Sequence, residues 1–405
     1  MVSVTQVEGE CRFLKQNAGS EQSKCNKMPF TGTTTHVYQL GNPAEGNGGH
    51  VGFSYTAEDG QSLLDALLLS QVHHLDEYSV YFRTNLLNLS IVTFQWEDHA
   101  WKGQLKYDVT ACEMKVVGGG KNFIVQLNEN WNPNFLTEFE NNVLQPLESI
   151  KSSYMKTHEQ DILFCITQGE RESSEIIFST MVPKDEILVV VNANPVEYGH
   201  VFLIPYKIHR LPQSLDKKMF GLITQIAVEV NNCSFRIFFD HSASPCSNQI
   251  YFQASYFANP LPVEVLPTVP VYGDVLTTGI CICEVADYPL KTLVFTSKNL
   301  KALADIVAEI CSTLHNHNAA FNLLISDCGT KMFLFPQVHK ALMGCHLSAW
   351  ECGGYFVYDT KSDFDCVSEV EIIKSMASIS LDNSSFQALK QLCCNIANRL
   401  TFGDE

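Results

Sequence analysis

Residues with chemistry to offer are unevenly spread along this 405-residue chain. Gly118–Lys121 reads GGGK, but a phosphate-cradling loop needs GxxxxGK followed by Ser or Thr to hold magnesium. Here Asn122 follows between two strand-like runs, so a hairpin turn is expected. His315 and His317 form an HxH pair at the end of a helical segment beside Asn and Ala. A solvated pair is expected there rather than a metal site. The 15 cysteines contain no CxxC. Their tightest spacings, Cys281-Ile-Cys283 and Cys393-Cys394, do not suit structural zinc. GxSxG, HExxH and the Rossmann glycine pattern are missing. What remains is NANPVEYGHVFLIP (Asn192–Pro205), with His200 in a tight hairpin, and the later run QIYFQASYF (Gln249–Phe257). Residues i and i+2 of a strand face the same side, so Gln249, Tyr251 and Gln253 share one face.

The elements that position these residues follow from periodicity. YDVTACEMKVV, a glycine turn and NFIVQLNEN read as two strands. EILVVVNANP and HVFLIP read as two more, meeting at Glu197-Tyr198-Gly199. Met219, Phe220, Leu222, Ile223, Ile226, Ala227 and Val230 recur at helical spacing, which predicts an amphipathic helix over Leu215–Val230. Gln61–Ser70 is another helix candidate. PLPVEVLPTVPVYG, ending at Gly273, reads as a linker. Beyond it, strands GICICEV, TLVFTS, NLLISD and MFLFPQ accompany helices Asn299–Leu314 and Ser384–Leu400. The expected organisation is a flexible Gly/Asn/Thr/Ser-rich arm over 1–60, one half over 61–268 and a second over 269–405.

Composition bounds the function. Hydrophobic residues make up 45% and charged residues 18%, enough for a sizeable core. The net charge of −17 argues against nucleic acid or anionic membrane as a general partner. A small anionic substrate would still need a local basic pocket. With no apolar leader in MVSVTQVEGECRFLKQ, no run of membrane-span length and many thiols, a reducing, cytoplasmic location is expected, with the nucleus as a further compartment.

The hairpin and strand together resemble the histidine-triad nucleotidyl-transferase superfamily, in which P-x-x-x-G-H-hydrophobic-P precedes a strand bearing H-x-H-x-H or H-x-H-x-Q. More closely, the chain resembles the plant GDP-L-galactose phosphorylase family. The resemblance runs through YDVTACEMKV, QLNE, TEF, PVEYGHVFLIP, LPQSLD, FQASYFANPLPVEVLPT, FNLLISDCGTKMFLFPQ and AWE (Ala349–Glu351), in that order. It implies an α+β, histidine-triad-like fold in two tandem halves, as in galactose-1-phosphate uridylyltransferase. It also implies phosphorolysis of GDP-L-galactose to GDP and L-galactose 1-phosphate, a step of ascorbate synthesis, through a guanylyl-histidine. No cofactor or metal is implied. The expected partners are GDP-L-galactose or another guanine nucleotide, inorganic phosphate, and a second copy or a family paralogue. Asn248, His200, Asn128 and Glu129 would border the substrate.

At the reactive strand the sequence departs from the family. Where the family reads Asn-His-Leu-His-Phe-Gln, this chain reads Asn248-Gln249-Ile250-Tyr251-Phe252-Gln253. Gln249 and Tyr251 replace the two histidines, Tyr251 standing at the nucleophile position, while Gln253 and Asn248 are retained. Residues 130–136 carry no Lys or Arg where the family has a basic run, and Gly354-Tyr355 replaces Gly-His. His241, ten residues before Tyr251, is the nearest alternative nucleophile, but loop-to-strand geometry argues against that role. Residues 72–95 are extra relative to the family, with ends that fit a retained intron; a genuine added hairpin is the other reading. Three functions remain: a phosphorylase-family protein with slow or lost turnover, a non-catalytic nucleotide- or partner-binding paralogue, and the product of a decaying gene.

Overall fold

The computed structural model describes residues 35–40, 96–97, 99–133, 135, 162–168, 175–179, 186–206, 215, 217–241, 250–273, 279–338 and 347–402. The expected helix Gln61–Ser70 and the extra segment 72–95 lie outside these residues. Strand β1 (Thr35–Leu40) falls inside the span expected to be an arm and pairs with β4 and β5. The next strands are β2 (Glu113–Val117), β3 (Phe123–Leu127), β4 (Ile162–Gln168) and β5 (Glu175–Ser179).

Two copies of one topology then follow. The first is β6 (Glu186–Val191), β7 (Tyr198–Tyr206), helix α1 (Lys217–Val230), β8 (Phe235–His241) and β9 (Phe252–Tyr256). After α2 (Pro262–Val265) and β10 (Thr268–Tyr272), the second is β11 (Ile280–Val285), β12 (Leu293–Ser297), α3 (Leu300–Asn316), β13 (Ala320–Ser326) and β14 (Lys331–Gln337). Sheet order is β6-β7-β9-β8 in one copy and β11-β12-β14-β13 in the other. Both are hairpin, helix, hairpin, with the last strand inserted beside the second. The copies join where β8 pairs antiparallel with β13, Ile237 opposite Ile325 and His241 opposite Phe321. Among the described residues the result is a twelve-stranded sheet, β10-β11-β12-β14-β13-β8-β9-β7-β6-β4-β1-β5. This is an α+β architecture built from two similar halves, as the resemblance implies.

Alternation along the central strands divides the core. On one face Ile237, Phe239, Phe252, Ala254, Leu323 and Ile325 pack under α1 and α3. On the other, Phe238, Leu324, Phe333 and Phe335 meet Phe123, Trp350 and Tyr355. The remaining elements cover that second face: α4 (Ala349–Cys352), β15 (Tyr355–Tyr358), α5 (Lys361–Cys366) and α6 (Glu369–Ile379), with α7 (Asn383–Phe402) packing on α3. β15 pairs parallel with β3, and β3 antiparallel with β2, in a small separate sheet.

GGGK is indeed the turn between β2 and β3. The N–H groups of Gly120 and Lys121 both donate to Glu369 Oε1, each at 2.8 Å. A Cβ on Gly119 would lie 1.5 Å from Glu369 Oε2, so the close approach of this carboxylate requires glycine.

The proline-rich stretch expected as a linker is instead built into the fold. Pro262 opens α2, where its missing N–H costs nothing. Pro270 lies in the edge strand β10, the position in a sheet that tolerates proline. Buried Arg236 fastens this segment: its Nε and Nη2 donate to the Glu264 carboxylate at 2.9 and 2.7 Å, and its Nη1 to the carbonyls of Ser234 and Phe257.

Candidate functional site

The hairpin β6–β7 turns at Asn192–Glu197, and neighbouring segments hold this turn from several sides. Lys106 N–H donates to the Ala193 carbonyl, Tyr107 OH to that of Pro195 and Gln126 Nε2 to that of Val196. Asn194 N–H donates to Asn192 Oδ1, and Asn132 N–H to Asn194 Oδ1. Gly199 then takes φ +70°, a left-handed conformation suited to glycine, and His200 enters β7 fully buried.

A polar relay starts at His200. Val196 N–H donates to His200 Nδ1 at 2.9 Å, so the ring carries its proton on Nε2. Nε2 donates to Gln253 Oε1 at 3.1 Å, and Gln253 Nε2 donates to Asp240 Oδ2 at 3.0 Å. Asp240 Oδ1 accepts the Ala349 N–H at 2.6 Å. The relay thus crosses β7, β9 and β8 and ends on α4, whose Trp350 ring stands edge-on to His200 at 5.8 Å. Burial pushes the His200 imidazole down to about 3, so it stays neutral at physiological pH.

Tyr251 lies on the same face as Gln253, buried just ahead of β9, its ring edge-to-face with Phe202 at 5.8 Å. Phe135 stacks on Phe202, and Lys106 Nζ sits 4.7 Å from the Phe135 ring centre. Asn128, buried at the end of β3, accepts the Asn130 N–H on Oδ1. Its turn is tied to the hairpin through the Asn132–Asn194 contacts, whereas Glu129 beside it is exposed. Asn248 and Gln249 lie outside the described residues. His200 and Gln253 are therefore brought together with Tyr251.

The sequence reading missed several contributors. Asp240 carries no local signal in the sequence, yet it anchors Gln253. Glu197 was read as a turn residue, but its buried carboxyl accepts the Tyr355 OH at 2.8 Å. Burial outweighs that bond and raises its pKa. Tyr355 thereby latches β15 to the hairpin.

His241 and His315 meet on the helix side of the sheet. His241 shares the helix-side face with Phe239, opposite to Asp240 and Gln253, because strand residues alternate; it does not reach the Tyr251 face. His315 is half-buried and paired rather than fully solvated: His241 Nε2 and His315 Nδ1 are 2.8 Å apart, and the His241 ring stacks on Phe321 at 4.6 Å. Burial, with His315 nearby, lowers His241 to about 4. His317 is exposed, its Nδ1 2.7 Å from the Thr313 carbonyl. No cluster of three or more metal-ligating side chains occurs among the described residues, and no described helix is long and apolar enough to cross a membrane.

Both depressed imidazoles make the fold acid-sensitive. An unfolded histidine titrates near 6.5, so between that value and the folded one the unfolded chain binds more protons. Stability is complete above about pH 6.5 and falls as pH drops toward the folded values. His200 alone should give a slope approaching ~1.4 kcal/mol per pH unit within that window. Urea midpoints from pH 7 to pH 4, with imidazole NMR titration, would check this; a His200 signal that titrates near 6.5 contradicts it.

The model for the GDPGP1-like N-terminal domain matches residues 89–255, and that for the GDPGP1-like C-terminal domain matches 262–400. GDP-L-galactose phosphorylase 1 of Arabidopsis thaliana is 35% identical over 323 residues, spanning 75% of this chain and 72% of that protein. GDP-D-glucose phosphorylase 1 of Homo sapiens is 23% identical over 303 residues, spanning 69% and 75%. Among solved structures, yeast Ap4A phosphorylase Apa2 in complex with AMP aligns over 72% of this chain and 94% of that one, with 11% identity and a TM-score of 0.47. Two family models that together take in both sheet halves, and a relative above 30% identity over most of the length, place this chain in the GDPGP1-like family of GDP-sugar phosphorylases.

Proposed function

We propose that this chain binds a GDP-hexose, GDP-L-galactose being the first candidate, and that its turnover to GDP and the hexose 1-phosphate is slow or absent. The observation that carries the reading is Tyr251, buried beside Gln253 on the face that holds the His200 relay. In the family reaction as the resemblance implies it, a histidine at this position attacks the α-phosphorus and the hexose 1-phosphate leaves. Inorganic phosphate then attacks the guanylyl intermediate and releases GDP. A phenol with an ordinary pKa near 10 is about one part in a thousand ionised at pH 7, whereas imidazole is mostly the neutral nucleophile. A tyrosyl phosphodiester is also a poorer guanylyl donor than a P–N bond.

The surrounding support is in order. Gln253 bridges His200 to Asp240, and Lys106 offers a cation at the end of the aromatic run Phe135–Phe202–Tyr251. Nucleotide binding without transfer is therefore the second reading, favoured by an ordered site around a poor nucleophile.

Purified full-length chain incubated with GDP-L-galactose and phosphate should show nucleotide binding by calorimetry, GDP release at background, and no added GMP mass by mass spectrometry. An adduct on Tyr251 would overturn the poor-nucleophile reading. Absence of any nucleotide binding would overturn both readings.

A further inference from the structure

Outside this site, β11 carries a dithiol. Ile280 and Ile282 point into the core beneath α3 and α7, so Cys281 and Cys283 share the opposite side of the strand. Their sulfurs are 3.3 Å apart, and both residues are partly exposed. The ladder on the β10 side is irregular, whereas the one on the β12 side runs in regular register past both cysteines. Pro270 faces Cys283 while Tyr272 faces Ile282, so Val271 is bulged out of register. A bulge bends the strand pair and locally disrupts its hydrogen bonds, and Pro270 has no N–H to give. β11 can therefore shift at the dithiol more readily than at a regular ladder.

We propose that Cys281 and Cys283 form a redox-active pair that closes to an intrastrand disulfide by exchange with a small-molecule disulfide such as oxidised glutathione. The thiolate of one cysteine attacks a glutathione sulfur, forming a mixed disulfide and expelling one glutathione thiolate. The second cysteine, as its thiolate, attacks the protein sulfur of that mixed disulfide and expels the other glutathione. Two protein thiols are oxidised to one disulfide, and one oxidised glutathione is reduced to two thiols. The protons lost by the cysteines pass to the departing thiolates.

Geometry also sets the character of the bond. Residues two apart on an extended strand have Cα atoms about 6.6–6.8 Å apart, at the upper edge of the usual ~4.4–6.8 Å for a disulfide. Closure requires a local contraction, which the bulge opposite permits. A bond held at that limit belongs to the easily reduced, reversible class. The other close pair contrasts with this one: Cys393 is buried against Cys311, while its neighbour Cys394 is only partly covered.

The test equilibrates the native full-length chain in glutathione buffers of increasing oxidised-to-reduced ratio, followed by acid quench, alkylation and peptide mapping. The expected product links Cys281 to Cys283, is lighter by two hydrogens, grows with the ratio and disappears on reduction with dithiothreitol. Cys281→Ser should stop at a single glutathione adduct on Cys283, and Cys283→Ser at one on Cys281. Two findings would overturn the proposal. One is a stable glutathione adduct on either residue of the unmutated chain without closure. The other is both residues remaining fully alkylated at ratios that modify the exposed Cys233 and Cys366.

Discussion

Phosphorolysis of GDP-L-galactose rises from background by up to ~10³-fold when Gln249→His and Tyr251→His are introduced together. The ceiling comes from nucleophile availability, about 0.001 of a phenol against most of an imidazole at pH 7. Gln253, already fixed between His200 and Asp240, needs no change. The smaller ring leaves space against Phe202, so a modest loss of thermal stability accompanies the gain. Lys106 should matter only in this restored enzyme. If it meets the substrate phosphate, Lys106→Ala removes a charge-assisted contact of about 1.5–3 kcal/mol, or roughly 10- to 150-fold in rate. Coupled release of GDP and hexose 1-phosphate measures both effects. A well-folded double-histidine chain that stays at background would show that the loss of function extends beyond the reactive strand.

Glu264→Ala should destabilise the fold by about 3–5 kcal/mol, because it strands a buried guanidinium without its countercharge. Arg236 and Glu264 side chains are 4% and 11% exposed, so water compensates little. Glu264 also accepts the Leu261 N–H at 2.6 Å, and α2 loses that anchor as well. Arg236→Met with Glu264→Leu should recover much of the loss, since an apolar pair of similar size replaces a buried ion pair at little net cost. Denaturant unfolding of the two variants beside the unmutated chain decides the matter. A loss below about 1 kcal/mol for Glu264→Ala would mean that Arg236 finds water or another partner.

What the sequence revealed of this architecture depended on how local each signal was. β6, β7, α1 and α3 were legible because their apolar spacing is continuous and their ends are punctuated. Asn299, for instance, caps α3 by accepting the Ala302 N–H. α6 was missed although Ser368 and Glu371 form a capping box at its start. The proline-rich segment was misread because composition cannot distinguish a linker from a helix-opening proline followed by an edge strand. Its order depends on Arg236, which is distant in sequence.

The site divided in the same way. His200, Tyr251 and Gln253 were visible from strand alternation and resemblance. Asp240 and Glu197 were not, because their roles exist only once β8 lies beside β9 and β15 beside β3. His315 failed for the same reason: its partner His241 is 74 residues away.

The seam between β8 and β13 has a consequence for cooperativity. Each copy of the hairpin–helix–hairpin unit uses the other copy's innermost strand to satisfy its own edge, and α1 lies against α3 across the join. Neither copy is therefore an autonomous folding unit with a finished boundary. Separated at the segment between them, each would expose a long, flat, apolar edge strand, the kind that recruits further strands from solution. The two family segments should melt together in a single calorimetric transition, and half-chains expressed alone should aggregate rather than persist as soluble domains.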